Sequence, residues 1–224
     1  MKKTFNKTYM KKILISSFLI LSGFGLMAQT SAAAAKELLG KASQKLESFE
    51  QLYISFTYNF VNNRIDPPVT QEEKGTIAIK GDDYHLNFLG TEQIRKGNKV
   101  YTILEADEEV QVTAYDPNEE EQGITPTALL SAYDNGYSYK LGGTEKIDGK
   151  KIQYVVLKPN ASEEIDKIMI GIEEGSNKLY SLKQWGTNGT EVTFTINTFE
   201  PNKKLPANYF NFDRKDYPDY YISE

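Results

Sequence analysis

The chain has 224 residues and a net charge of −5, with one histidine and no cysteine. That acidity argues against nucleic acid as a primary partner. The missing cysteine excludes disulfides, thiol nucleophiles and cysteine-based metal sites.

The first twelve residues carry five lysines (Lys2, Lys3, Lys7, Lys11 and Lys12) and no acid. An apolar run from Ile13 to Met27 follows, and then the small residue Ala28. A basic start, a short apolar stretch and a small residue at the cut describe a secretory signal peptide. The run is too short, and too broken by Ser and Gly, to span a bilayer comfortably. Cleavage is expected after Ala28, leaving 29–224 as a single domain; Met10 opens a complete leader by itself. Loss of the five leader lysines would take the net charge to −10, which also disfavours anionic membrane surfaces. With no cysteine to carry a lipid anchor, the mature chain is expected to be free in the periplasm.

Ala32 to Phe49 reads as an amphipathic helix. Ala35, Leu38, Leu39, Ala42, Leu46 and Phe49 recur at steps of three and four, and Ser31 is the expected cap. From Leu52 the period switches to two. Leu52, Ile54, Phe56, Tyr58 and Phe60 alternate with Tyr53, Ser55, Thr57, Asn59 and Val61, which describes a long strand with one apolar, aromatic face. Shorter strands follow, each bounded by a turn signal: Thr76–Lys80, Tyr84–Phe88, Glu92–Arg95, Val100–Leu104 and Val110–Tyr115. The acidic stretch Asp116–Gln122 reads as an exposed loop. Thr125-Pro126 starts a short helix to about Tyr133, with proline at the favoured first position.

In the second half, Tyr137–Leu141 ends at Gly142-Gly143, read as a turn, and Asp148-Gly149 is a two-residue hairpin signal. Lys151–Lys158 and an alternating run through Ile168, Ile170 and Ile172 follow. Leu179–Trp185 and Thr190–Phe199 are joined across Asn188-Gly189. About ten antiparallel strands with one helix ahead and one inserted imply a barrel or a strongly curved sheet. Two readings of the aromatic excess stay open. One is an ordinary sandwich core; the other is a concave apolar face closed by helices.

Chemistry is sparse. The single histidine, His85, has no second His or Cys to form a metal set with, and reads as a surface or rim residue on the polar face of its strand. Glu105, Asp107, Glu108 and Glu109, then Glu119, Glu120 and Glu121, lie in consecutive runs where mutual repulsion favours solvation. They lack calcium-loop spacing. Lys96-Gly97-Asn98-Lys99 is a hairpin turn and not a phosphate loop. No catalytic residue, metal or cofactor is expected, and the protein is expected not to be an enzyme.

The order of parts resembles the periplasmic outer-membrane lipoprotein carriers, the LolA-like family. LLGKASQKLESF running into QLYISFTYNF resembles its opening helix and first strand. GTIAIKGDDYHLNF and IRKGNKVYTIL resemble its hairpins, TPTALLS its short central helix, VVLKPNASEEIDKIMIGI its later strand pair, and LPANYFNFDRKDYP its closing segment. The resemblance covers nearly all of residues 29–224. It implies a mainly β fold with α, an unclosed antiparallel barrel (a half-barrel) of roughly eleven strands whose helices form a lid over an apolar cavity. It also implies a function: binding the acyl chains of lipoproteins released by an inner-membrane ABC complex, and shuttling them to the outer membrane and any receptor there. The carrier is expected to be a monomer. The arginine with which known members latch the lid has no counterpart, because Lys80 is followed by Gly81-Asp82.

On this reading the cavity is lined by Leu52, Ile54, Phe56, Tyr58, Phe60, Ile77, Ile79, Leu86, Phe88, Ile168, Ile170, Val192, Phe194 and Ile196. Leu129 and Leu130 form the movable lid, and Leu38, Leu39 and Leu46 pack the first helix across the mouth. An envelope sensor or regulatory module, or a carrier of another lipid, would use the same fold.

Overall fold

The computed structural model describes residues 31–116 and 136–223. The expected leader, most of the acidic loop after Asp116, the helix expected at 125–133 and the lid residues Leu129 and Leu130 lie outside the described residues.

The helical period at the start forms α1, residues 31–47. Ala35, Leu39, Ala42 and Leu46 make its buried stripe, and the two alanines let the helix approach the sheet closely. Ser31, expected as the cap, lies within the helix; its hydroxyl accepts a hydrogen bond from the Leu141 N–H at 3.2 Å. At the other end the Ser48 hydroxyl donates to the Lys45 carbonyl at 2.7 Å, closing the last turn.

The strands are β1 (Gln51–Asn62), β2 (Val69–Lys80), β3 (Asp83–Phe88), β4 (Thr91–Lys96), β5 (Lys99–Leu104), β6 (Glu109–Ala114), β7 (Tyr137–Ile147), β8 (Lys150–Pro159), β9 (Ile165–Glu173), β10 (Leu179–Gly186), β11 (Thr190–Pro201) and β12 (Tyr221–Ser223). They form one twelve-stranded sheet in the order β12-β6-β5-β4-β3-β2-β1-β11-β10-β9-β8-β7. Two antiparallel meanders, β2 to β6 and β7 to β11, are joined through β1, which pairs with both β2 and β11. β12 and β7 stand at opposite edges, so among the described residues the sheet is not closed. The resemblance implied roughly eleven strands; the extra one, β12, is short and runs parallel to β6.

Curvature comes from irregular registers. β1 and β11 slip between Ser55 and Phe56, and β7 and β8 slip between Leu141 and Thr144. Gly142-Gly143 is therefore a bulge inside β7 and not the expected turn. A Cβ at Gly142 would sit 3.0 Å from Tyr154 Cβ, so the missing side chain is what admits the neighbouring strand. β2 also begins seven residues earlier than expected. Its first half, Val69–Lys74, is nearly all exposed and is held by its ladder to β1.

Apolar residues pack on both faces of the sheet. On the concave face, α1 packs with Leu52, Ile54, Phe56, Ile77, Val155, Leu157, Ile168, Ile170, Ile172, Leu179 and Leu182 in one core. On the convex face of β3 to β6, Ile94, Ile103 and Val110 form a second core with Tyr101, Val112, Phe212, Tyr217, Tyr220 and Ile222. The last four come from the chain after β11, which crosses this face as a strap and ends in β12.

Candidate functional site

Cross-strand pairing decides which side chains converge. Leu52, Ile54, Phe56, Tyr58 and Phe60 alternate along β1 onto the concave face. Opposite them on β2 stand Ile79 (facing Leu52), Ile77 (facing Ile54) and Gly75 (facing Phe56). β3 places Leu86 beside Ile77. β11 places Ile196 beside Phe56, Phe194 beside Tyr58 and Val192 beside Phe60. Next along, β10 sets Leu182 beside Phe194, and β9 sets Ile170 beside Leu182.

Part of this face encloses an apolar pocket of about 70 Å³, lined by Ile54, Phe56, Ile77, Leu86, Phe88, Leu179, Ser181, Leu182, Phe194 and Ile196. Ser181 is the one polar residue in that lining, and its hydroxyl lies on the other face of the sheet, toward Gly171. Above the pocket four aromatic rings pack together. Phe56 meets Phe88 at 5.4 Å and Phe194 at 5.8 Å, and Tyr58 meets each of those two at 5.2 Å. These are tilted and edge-on contacts that fix ring positions beyond simple burial.

Of the residues expected to line the cavity, Ile54, Phe56, Ile77, Leu86, Phe88, Phe194 and Ile196 surround the pocket. Leu52, Ile79, Ile168 and Ile170 belong to the solid core that α1 fills. Tyr58 closes the aromatic cluster, while Phe60 and Val192 lie half-buried further along the β1–β11 pair. Leu39 and Leu46 are buried in the same core, and Leu38 packs against it. Sequence reasoning missed Leu179, Ser181 and Leu182. The β10 strand was legible, but its inward face follows only from the pairing of Leu182 with Phe194.

His85 does not lie on an open polar surface. It points to the convex face beneath the strap, and its side chain is 11% exposed. Nδ1 lies 2.7 Å from the Tyr209 carbonyl oxygen, and Nε2 lies 2.7 Å from Glu92 Oε1. The Tyr217 hydroxyl donates to Glu92 Oε2 at 2.7 Å. The hydrogen bond from His85 holds the Glu92 carboxyl below its ordinary range against the opposing effect of burial, and the Tyr217 hydroxyl adds to the lowering. Burial, and then Glu92 itself, push the Tyr217 phenol upward. Among the described residues no serine takes part in this cluster; besides Asn87 of β3, 3.2 Å from Nε2, it meets Tyr209 and Tyr217 of the strap, which it fastens. The expectation failed because this stretch of convex face is covered by chain that has no periodic pattern.

Among the described residues no group of three or more His, Asp or Glu side chains could hold a metal ion. The Lys80-Gly81-Asp82 segment, where known family members carry the latching arginine, forms the tight β2–β3 turn, with Gly81 at φ 57°.

Residues 93–213, from within β4 to the strap, match the family model described as outer membrane lipoprotein carrier protein LolA. An uncharacterized conserved protein from Thermus thermophilus shares the fold at a TM-score of 0.54 and 10% identity, over 85% of this chain and 98% of that one. LprF from Mycobacterium bovis does so at 0.51 and 11%, over 79% and 97%. No curated protein matches the chain by sequence. The family match takes in more than half of the chain, including the second of the two hairpins, IRKGNKVYTIL, the late strand pair and the closing Phe-x-Phe segment. The chain therefore belongs to the LolA family of outer membrane lipoprotein carrier proteins.

Proposed function

We propose that the protein is a non-enzymatic periplasmic carrier that buries the acyl chains of lipoproteins against the concave face of its sheet. On this reading residues 1–28 are a cleaved leader, and the mature domain moves cargo from an inner-membrane ABC complex to the outer membrane.

The observation that carries the reading is the apolar pocket, whose lining residues are all apolar except Ser181. Exposing an acyl chain to water costs about 0.8 kcal/mol per methylene. A soluble shuttle must therefore supply an apolar surface, and this pocket does. Its size adds a condition. Ligand pockets commonly hold about 300–1,000 Å³, and about 70 Å³ admits only a few methylene groups. A whole acyl chain needs α1 to swing out of the concave face, so the helix with Leu38, Leu39 and Leu46 acts as a cover. Transfer from bilayer to pocket exchanges one apolar environment for another and gains little, so loading draws on an external energy source. The fastening role of His85 supports the non-enzymatic reading, since the only imidazole is committed to the strap.

Native mass spectrometry of the protein as purified tests the first half: co-purifying acyl-chain mass is expected. Release of newly made lipoproteins from spheroplasts into a soluble one-to-one complex tests the second. Lipoproteins that stay membrane-bound in the presence of the protein would leave a lipid-binding module without a carrier role.

A further inference from the structure

Among the described residues few large apolar side chains are exposed, and three of them lie toward the same end of the sheet, Leu89 set back from Ile65 and Val69 by the β1–β2 overhang. Among the described residues the large hydrophobic groups left in water are Ile65, Val69, Leu89 and Tyr221. Ile65 and Val69 belong to the β1–β2 hairpin, and Leu89 sits in the β3–β4 turn. β3 pairs with β2 only from Thr76 onward, so the hairpin overhangs its neighbour by the whole of Val69–Gly75.

Leu89 is 51% exposed and adopts φ 54°. That left-handed conformation costs a branched side chain about 1–2 kcal/mol, and two-residue hairpin turns of this kind favour Asn, Asp or Gly. A leucine placed there, in water and under strain, is unfavourable for folding on both counts. It calls for a partner.

A path of apolar groups connects this end to the pocket. From Phe56 at the pocket wall, Tyr58 and Phe60 follow on the same face of β1, with Val192 beside Phe60. Val69 pairs with Asn62, one step further on that face. On the opposite face of the same end, Lys167 Nζ and Lys183 Nζ lie 4.4 and 4.6 Å from the centre of the Trp185 ring. Charges of both signs ring the hairpin: Arg64, Lys167 and Lys183 against Asp66, Glu72, Glu73 and Glu191, the last paired with Lys183 at 2.6 Å. Such a mixed rim complements headgroups that carry phosphate and ammonium together, not a surface of one sign. Tryptophan and lysine around aliphatic tips is the composition that sits well at a bilayer interface.

We propose that the overhanging β1–β2 hairpin and the β3–β4 turn are a bilayer-contact rim. Ile65, Val69 and Leu89 seat among the headgroups of a zwitterionic membrane, and an acyl chain passes between bilayer and pocket along Tyr58 and Phe60. The inference rests on the lipid-binding reading and assigns the end of the sheet at which cargo enters or leaves.

The test uses the mature chain with vesicles of phosphatidylcholine and a fluorescent fatty acid as probe. Vesicle association is read by flotation, probe affinity in solution, and transfer of the probe between vesicle populations by stopped flow. In I65S/V69S/L89N, probe affinity in solution should stay within about twofold, while vesicle association is lost and transfer slows about tenfold or more. All three positions are exposed, so circular dichroism should match the parent and Tm should not fall below it; the single variant L89N, a natural turn residue at that φ, should raise Tm and still weaken association. Unchanged association and transfer in both variants overturns the rim, as does a parent chain that fails to float with vesicles. Association that appears only when phosphatidylglycerol is added also overturns it, because that contact would be electrostatic. A parent chain that floats but binds no probe upholds the membrane contact and instead defeats the acyl-binding reading.

Discussion

Phe56 on β1 rests against the bare backbone of its cross-strand partner Gly75 on β2: a Cβ at position 75 would lie 2.3 Å from Phe56 Cζ. The same Cβ would lie 3.0 Å from the Asn87 carbonyl oxygen, so it has no free side to move toward. The ring in turn is held by Phe88 and Phe194. Gly75→Ala should therefore push Phe56 into its aromatic neighbours and cost about 1–3 kcal/mol, the ordinary range for overpacking. Adding Phe56→Leu to that variant should recover part of the loss, because the shorter side chain leaves room for the new methyl group. Chemical denaturation of the two singles and the double gives the coupling; strict additivity would show that the contact carries no weight.

The strap offers a second test, since one hydroxyl can be removed without disturbing packing. Phe212 stacks on Tyr101 at 4.5 Å and on Tyr217 at 5.4 Å, and Phe keeps the second of these stacks in Tyr217→Phe. Only the bond to Glu92 is lost, with an expected cost of about 0.5–1.5 kcal/mol. Glu92→Ala takes away the acceptor that serves both Tyr217 and His85, and should cost about 1–3 kcal/mol. Limited trypsin digestion at Arg214 and Lys215 reads the same event locally. Cleavage should be faster in both variants, and more so in Glu92→Ala.

The carboxyl of Glu92 also sets an acid limit on the strap. Its pKa in the folded chain is lowered, first by the hydrogen bond from His85. A group with a depressed folded pKa contributes stability that is full above its unfolded value, about 4.3, and disappears as pH falls through the lower folded value. Stability should therefore decline below about pH 4.3, and the decline should be shallower in Glu92→Gln, which has no proton to take up. Other carboxylates contribute to the acid limb in both proteins, so the difference between the two curves isolates Glu92. Parallel curves would mean that the His85–Glu92 contact does not stabilise the fold.

The parts of the fold that were legible are those where one side of an element is dry and the other wet. β1 reads from Leu52, Ile54 and Phe56 against Tyr53, Ser55 and Thr57 because only the first set meets the core. The first half of β2 is exposed almost throughout, so Glu72 and Glu73 show no alternation although they belong to a regular ladder. Gly142-Gly143 is ambiguous for a different reason. Two glycines suit a turn and a bulge equally, and only the proximity of Tyr154 decides. The strap was recognised as a closing segment by resemblance, but Phe210, Phe212, Tyr217 and Tyr220 follow no period that would announce what they cover. Ile94, Ile103 and Val110 lie beneath it, and so does His85, which the sequence placed on a polar face. The pocket lay in between. β1, β2, β3 and β11 supplied their lining residues by alternation, while Leu182 needed a register that no single strand encodes.

The cover role proposed for α1 makes a prediction that separates it from ordinary core. Leu39 and Leu46 on the helix and Ile168 on β9 are all buried in the same cluster. Truncating any of them to Ala should cost about 2–5 kcal/mol. The destination of that loss differs. α1 is held by side-chain packing and the Ser31–Leu141 bond, whereas Ile168 sits on a strand with ladders on both sides. Weakening the helix contacts should raise the population with α1 undocked while the sheet stays intact. Ile168→Ala should instead lower the whole unfolding free energy. Stopped-flow uptake of a fluorescent fatty acid should thus accelerate several-fold in Leu39→Ala and Leu46→Ala and stay near the parent rate in Ile168→Ala. Amide exchange supplies the structural counterpart: faster exchange confined to residues 31–47 in the helix variants, and spread over β8 to β10 in the sheet variant. Equal acceleration in all three would mean that entry follows general loosening of the core, with α1 no more a gate than the strands beneath it.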